Sequence, residues 1–255
     1  MEKKVIFNIC DIIQVIVFGN GYVQSVIQQN LHNFRSVETS SKLKTLNIYT
    51  SKFNNNDNDS SKLYIEKNLG RKAINSYLFS AIRKILISDG FVLIHGSLLK
   101  NDNGISLYSG SGGSGKTIQA LKHLINKTGY PLCDDIAIIG NNSIIPLPRY
   151  FSLGPKEYKF AKKLGFIRHQ NIFDELFVNI SLLLHFTFLR RVFPFKYSHF
   201  LWDNNQRIFK APIIELHGVN SIEDLLNITE DEWPLQLTEE EFLIQIKCLK
   251  KNIKV

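Results

Sequence analysis

Residues 105 to 118 read Ile-Ser-Leu-Tyr-Ser-Gly-Ser-Gly-Gly-Ser-Gly-Lys-Thr-Ile. The strand pattern of Ile105 to Tyr108 runs straight into a glycine-rich turn, and a helical pattern, Ile118 to Ile125, starts at once after it. A Gly-x-x-x-x-Gly-Lys-Thr run in that context reads as a phosphate-binding loop, whereas a flexible Gly/Ser linker has no reason to sit tightly between a strand and an amphipathic helix. Gly110, Ser111, Gly112, Gly113, Ser114 and Gly115 let the backbone turn successive amides toward phosphate oxygens, and the new helix adds its positive end. Lys116 supplies a point charge to the outer phosphates, and Thr117 offers a hydroxyl to Mg²⁺. Such a loop touches no base, so ATP and GTP both remain open as the nucleotide.

About one helix and a turn beyond Thr117 comes Pro131-Leu-Cys-Asp-Asp-Ile-Ala-Ile-Ile, which carries Asp134 and Asp135 just before an apolar run. Phosphate-loop enzymes need a second carboxylate near the metal. On an extended backbone, adjacent acids point to opposite faces, so one near the metal and one near an attacking hydroxyl is the economical division. Upstream, Ile94-His95-Gly96-Ser97 ends another strand pattern. His95 is a candidate to orient an acid or a phosphate.

Around this centre the periodicity divides the chain. Val5 to Phe18 holds two short β-rich runs, Gly19 to Gly21 a turn, and Leu46 to Tyr49 and Lys62 to Glu66 two more strands. The polar stretch from Lys52 to Lys62 predicts an exposed loop or hairpin tip. From Arg71 the period changes: Ile74, Tyr77, Leu78, Ala81, Ile82, Ile85 and Leu86 share one face of a helix ending near Asp89-Gly90. Phe91 to Ile94 and Ile105 to Tyr108 are strands joined by a segment that ends in a hairpin turn, and Ile136 to Leu147 is a second hairpin. Ile180 to Leu189 is apolar, Ala211 to His217 reads as a strand, and Glu239 to Leu249 as a helix burying Leu243, Ile246 and Leu249. The organisation predicted is an α/β chain with a small β-rich layer over residues 1–70 and a phosphate-loop core over 71–255.

The 255 residues, 44% of them hydrophobic and 21% charged, fit an ordinary globular protein with a substantial core. Cys10, Cys133 and Cys248 are too few and too scattered for a disulfide framework or a zinc site. Asp11 and Gln14 interrupt the first apolar run before a signal-peptide core forms, and no run approaches bilayer-spanning length. A cytoplasmic location without membrane attachment is expected. The net charge of +8 is spread over scattered Lys and Arg, which argues for anionic small ligands over a nucleic-acid surface.

The succession of His-Gly-Ser at 95–97, a strand hairpin, the loop at 110–117, a helix, and Asp134-Asp135 before a second hairpin resembles the core of HPr kinase/phosphorylase and its relatives. That group is itself similar to phosphoenolpyruvate carboxykinase. The resemblance covers about residues 90 to 155 and implies a phosphate-loop core on a mixed β-sheet of that type. It implies Mg²⁺ held by Thr117 and Asp135, and Asp134 as base toward a serine hydroxyl, with the order of the two acids left open. Pro146-Leu-Pro-Arg149 is similar to a Pro-Arg stretch in many relatives, which implies that Arg149 neutralises charge on the transferring phosphoryl group. The glycine-rich stretch tied to phosphorylase activity is not visible, and the leading 70 residues are much shorter than that enzyme's first domain.

What this implies is a kinase-only relative, resembling tailoring kinases that phosphorylate a serine of ribosomally made peptides such as lasso peptides. Free-serine kinases belong to the same wider group. Three classes therefore stand: a peptide or protein serine kinase, a small-molecule kinase, and a nucleotide-regulated binding module without transfer. The sequence selects no oligomeric state.

Overall fold

The computed structural model describes residues 4–19, 21–51, 59, 61–102, 104–110, 114–126, 128–134, 136–147, 151–153, 197–200, 209–210, 213–231 and 233–254. In chain order the elements are β1 (Lys4–Ile9), β2 (Ile13–Phe18), α1 (Tyr22–Leu31), β3 (Arg35–Ser36), β4 (Lys44–Ser51), β5 (Lys62–Glu66) and α2 (Arg71–Ile87). Then come β6 (Val92–His95), β7 (Ser97–Asn101), β8 (Gly104–Tyr108), α3 (Lys116–Asn126), β9 (Gly129–Cys133), β10 (Ile136–Gly140) and β11 (Ser143–Leu147). The last are β12 (Phe151–Leu153), β13 (Tyr197–Phe200), β14 (Phe209–Lys210), β15 (Ile214–His217), α4 (Ile222–Asp231), α5 (Glu239–Asn252) and β16 (Ile253–Lys254).

The chain is an α/β protein with mixed sheets. The first sheet has the order β3-β1-β2-β4-β5. Its inward residues, among them Phe7, Val15, Val17, Leu46, Ile48 and Ile65, alternate along the strands and bury against α1 and α2. The helix α1 was not expected, although Val23, Val26, Ile27, Asn30 and Leu31 are buried at helical spacing. Strands β4 and β5 pair in parallel, so they are not the two arms of a hairpin with the polar segment from Lys52 to Lys62 at its tip. Of that segment, Asp59, Ser61 and Lys62 are described.

The second sheet runs β14-β11-β10-β6 and the third β16-β15-β8-β7-β9. The strand before Gly96 is not the hairpin partner of β8: Ser97–Asn101 forms a strand of its own, β7, which pairs antiparallel with β8, while β6 pairs with β10. The predicted turn at the hairpin end is nonetheless in place, with Asn101 opposite Gly104.

The second sheet is buried on both faces. Leu93, Ile136, Ile138 and Leu147 join the core beneath α2, whereas Val92, Ile94, Ala137 and Ile139 pack with Leu98, Ile105 and Leu107 of the third sheet. This double burial explains the unbroken apolar run at Ile136 to Ile139. On the third sheet, α3 lies against β9 and β7.

Helix α2 buries the predicted face, and Gly70, where the sequence reading divides the chain, is its N-cap. The apolar core beneath α2 runs continuously from the first sheet to the second. Helix α5 starts at a capping box in which Thr238 and Glu241 satisfy each other's backbone amides. Its inner face differs from the expected one. Leu249 is buried and Ile246 partly so, but Leu243 is 49% exposed and Gln245 is wholly buried, because the helix docks onto β10 and α4 on the other side of Leu243. The expected apolar segment at 180–189 lies outside the described residues. No helix among the described residues is long and apolar enough to cross a membrane.

Candidate phosphate-loop site

Strand β8 ends at Tyr108, and α3 begins at Lys116, so the glycine-rich run is the connection between a central strand and a helix. Gly110 and Gly115 hold φ of +150° and +90°, in the left-handed region where a side chain is strained. The start of the loop is tied to its neighbours through Ser109, whose N–H donates to the His217 carbonyl at 3.0 Å and whose hydroxyl reaches the His95 carbonyl at 3.4 Å. Since β15 runs parallel to β8, the carboxyl ends of both strands lie at this edge, the usual place for a ligand in an α/β sheet.

Lys116 Nζ donates to the Gly110 carbonyl at 2.6 Å, spanning the loop from its last turn to its first glycine. One residue on, in the first turn of α3, Thr117 Oγ1 donates to the carboxylate of Asp134, 3.0 Å from Oδ1 and 3.1 Å from Oδ2. Asp134 is buried and directly follows the last residue of β9. It is held a second time by Ser97, whose hydroxyl lies 2.9 Å from Asp134 Oδ1 and 2.9 Å from the Asp134 carbonyl. The helix end contributes partial positive charge beside this carboxylate, so the place favours anions and cations side by side, as a metal-bound phosphate requires.

Of the residues singled out from the sequence, Gly110, Ser114, Gly115, Lys116, Thr117 and Asp134 meet at one edge of the third sheet. His95 joins them through its backbone: its N–H donates to Thr229 Oγ1 at 3.3 Å, and its carbonyl accepts from Ser109. Ser111, Gly112, Gly113, Asp135 and Arg149 lie outside the described residues. Three contributors had no role assigned from the sequence: Ser97, Ser109 and the β15 end at His217. Their place depends on strand pairing, and the one local trace was the Ser that follows His95-Gly96.

Tyr108 and His217 stack beside the loop, ring centroids 4.8 Å apart, and Tyr108 Oη lies 3.4 Å from His123 Nε2 on α3. Burial, and secondarily the charge of Glu215, pushes the Tyr108 hydroxyl above the usual tyrosine range. It stays protonated at neutral pH.

Among the described residues no group of three or more His, Cys, Asp or Glu is placed to hold a metal alone. Thr117 and Asp134 supply two oxygen donors of the kind Mg²⁺ takes, and this ion commonly fills its octahedron with substrate phosphates and waters. These two oxygens are the donor type such an ion takes. Fold and site together define an α/β protein on mixed sheets with a glycine-rich loop between strand and helix. No protein-family model matches the chain, and no curated protein matches it.

Proposed function

We propose that the protein is a magnesium-dependent kinase of the HPr kinase-like type, transferring the γ-phosphoryl group of ATP or GTP to a serine hydroxyl of a peptide or protein. The observation that carries this reading is the hydrogen bond from Thr117 to Asp134, which joins the loop hydroxyl to a buried carboxylate from another strand. An antiparallel strand, β7, beside the loop strand supports a core like that of the phosphoenolpyruvate carboxykinase group, since it makes the sheet mixed.

The same hydrogen bond supports one of the two divisions of labour between the acids. The resemblance gave Asp135 to the metal and Asp134 to the acceptor, with the order left open. Asp134 is the acid whose carboxylate is bonded to Thr117 and Ser97, which supports giving it the role of the metal-side acid of a phosphate-loop enzyme. Asp135, next in sequence, is then the base. Bound Mg²⁺ offsets charge on the outer phosphates. Lys116 and the loop amides hold those phosphates, Arg149 neutralises charge on the group in flight, and His95 supports the loop edge. The serine oxygen forms a bond to the γ-phosphorus as the bond to the bridging oxygen breaks, and Asp135 takes the hydroxyl proton.

Purified protein with Mg²⁺, ATP or GTP, and serine-containing peptides, proteins or free serine tests the reading by mass spectrometry. A gain of one phosphoryl group on a peptide or protein serine is expected. Transfer to free serine alone selects a small-molecule kinase, and nucleotide binding with no phosphorylated acceptor selects a regulatory module. The exchanged roles give a sharper expectation. Asp135→Asn binds Mg-nucleotide normally yet loses about 10²- to 10⁴-fold in transfer, the usual contribution of a general base. Asp134→Asn instead raises the Mg²⁺ concentration needed for nucleotide binding, by at least about tenfold, which even a supporting residue of a metal site is worth. The reverse pattern in a Mg²⁺ titration of both variants returns the base to Asp134.

A further inference from the structure

We infer that Ser97 is the positioning residue of the magnesium-side carboxylate, an inference that rests on the reading of Thr117 and Asp134 above. Ser97 is wholly buried, and its hydroxyl lies at 2.9 Å from both the Oδ1 and the main-chain oxygen of Asp134. Thr117 Oγ1 approaches the same Oδ1 at 3.0 Å. The carboxylate is thus held from two elements at once, β7 on one side and α3 on the other. An aspartate at a strand end otherwise has several staggered χ1 and a broad χ2 to choose from. A hydroxyl that bridges its backbone and its side chain selects one of them.

The fold explains why this hydroxyl stands there. β6 belongs to the second sheet and β7 to the third, so the chain crosses between sheets at Gly96. A Cβ at that position would lie 2.6 Å from Leu107 Cδ1 and 3.0 Å from the Tyr108 carbonyl, too close for any other residue without a shift. Immediately after the crossing, Ser97 pairs with Tyr108 at the end of the loop strand, and Leu98 pairs with Cys133, the residue before Asp134. β7 therefore lies between the strand that carries the loop and the strand that carries the acid. In the His95-Gly96-Ser97 run, the glycine permits the crossing, and the serine delivers the hydroxyl.

Hydrogen bonds to an ionised acceptor are stronger than neutral ones, and residues that orient a metal ligand are worth about 10- to 100-fold in metal affinity or activity. Ser97 does not touch the nucleotide in this scheme. Its effect passes through Asp134, and it should appear in the metal dependence of nucleotide binding and not in the metal-free affinity.

The test is binding of a fluorescent nucleoside triphosphate to the full chain, titrated with Mg²⁺ and repeated in excess chelator. Ser97→Ala is expected to raise the Mg²⁺ midpoint about 10- to 100-fold with unchanged affinity in chelator. Ser97→Cys, with a weak S–H donor of similar size, is expected to fall between wild type and Ser97→Ala. An unchanged midpoint in folded Ser97→Ala overturns the inference, as does an equal loss with and without metal, which makes the serine a general structural support. If Ser97→Ala does not fold, the Cys variant decides by the same two readings. A wild-type protein whose nucleotide binding ignores Mg²⁺ overturns the underlying site reading as well, and that outcome is visible before any variant is compared.

Discussion

Lys116→Ala is expected to lower phosphoryl transfer by at least about 10²- to 10³-fold, the cost typical of removing one donor aimed at charge developing in a transition state. Lys116 is the one charged side chain between Gly110 and Thr117, and its ammonium reaches across the loop to the Gly110 carbonyl at 2.6 Å. The substitution removes that charge but leaves the loop amides and the helix end in place. Stability should change little, because the side chain is only partly buried and lies away from both apolar cores. Initial rates beside a thermal melt check the prediction. Wild-type turnover in the folded variant would falsify the phosphate-loop assignment.

Arg83 is wholly buried on α2, its guanidinium forked onto Glu230 of α4 at 2.7 and 3.1 Å and donating to the Leu235 carbonyl at 2.9 Å. It also lies over the Trp233 ring, 4.7 Å from its centroid. Burial lowers its pKa from the ordinary arginine value, and the charge of Glu230 opposes that shift.

Removing one partner of a buried pair leaves the other charge without compensation, so Arg83→Ala is expected to cost about 3–5 kcal/mol in urea unfolding. Replacing the pair together, Arg83→Met with Glu230→Leu, should recover most of that loss, since apolar residues of similar volume often substitute for a buried ion pair at little cost. A loss below about 1 kcal/mol for Arg83→Ala is the size of an exposed pair and would show that the contact contributes little. Because α4 also presents Thr229 to the His95 amide, this clamp lies behind the loop edge as well as within the core.

Several elements were legible from local pattern alone. The strand at 105–108 and the helix from Lys116, the hairpin at 136–147, the strand at 62–66 and the buried face of α2 all follow from period-2 or period-3.6 spacing over a few residues. The same spacing was present in Tyr22–Leu31, where polar Gln24 and Asn30 among the buried positions masked it. Gly110, Lys116 and Thr117 could be named as candidates because a phosphate-loop motif is written in consecutive residues.

Pairing was not written locally. Whether β6 or β7 lies beside β8, and whether β4 and β5 run parallel, depends on contacts between strands whose own sequences look alike. The burial of Gln245 in place of Leu243 depends on where α5 docks, and periodicity fixes only that some face is inside. Arg83 and Glu230 meet across 147 positions, and Ser97 and Asp134 across 37, separations at which no spacing rule operates. The sequence alone thus determined which residues are candidates to grip a phosphate, because a loop and a helix end form from neighbours in the chain. Which carboxylate and which hydroxyl stand beside that grip was decided by the tertiary structure, because only the packing of β7 and β9 against the loop strand brings Ser97 and Asp134 within hydrogen-bonding distance.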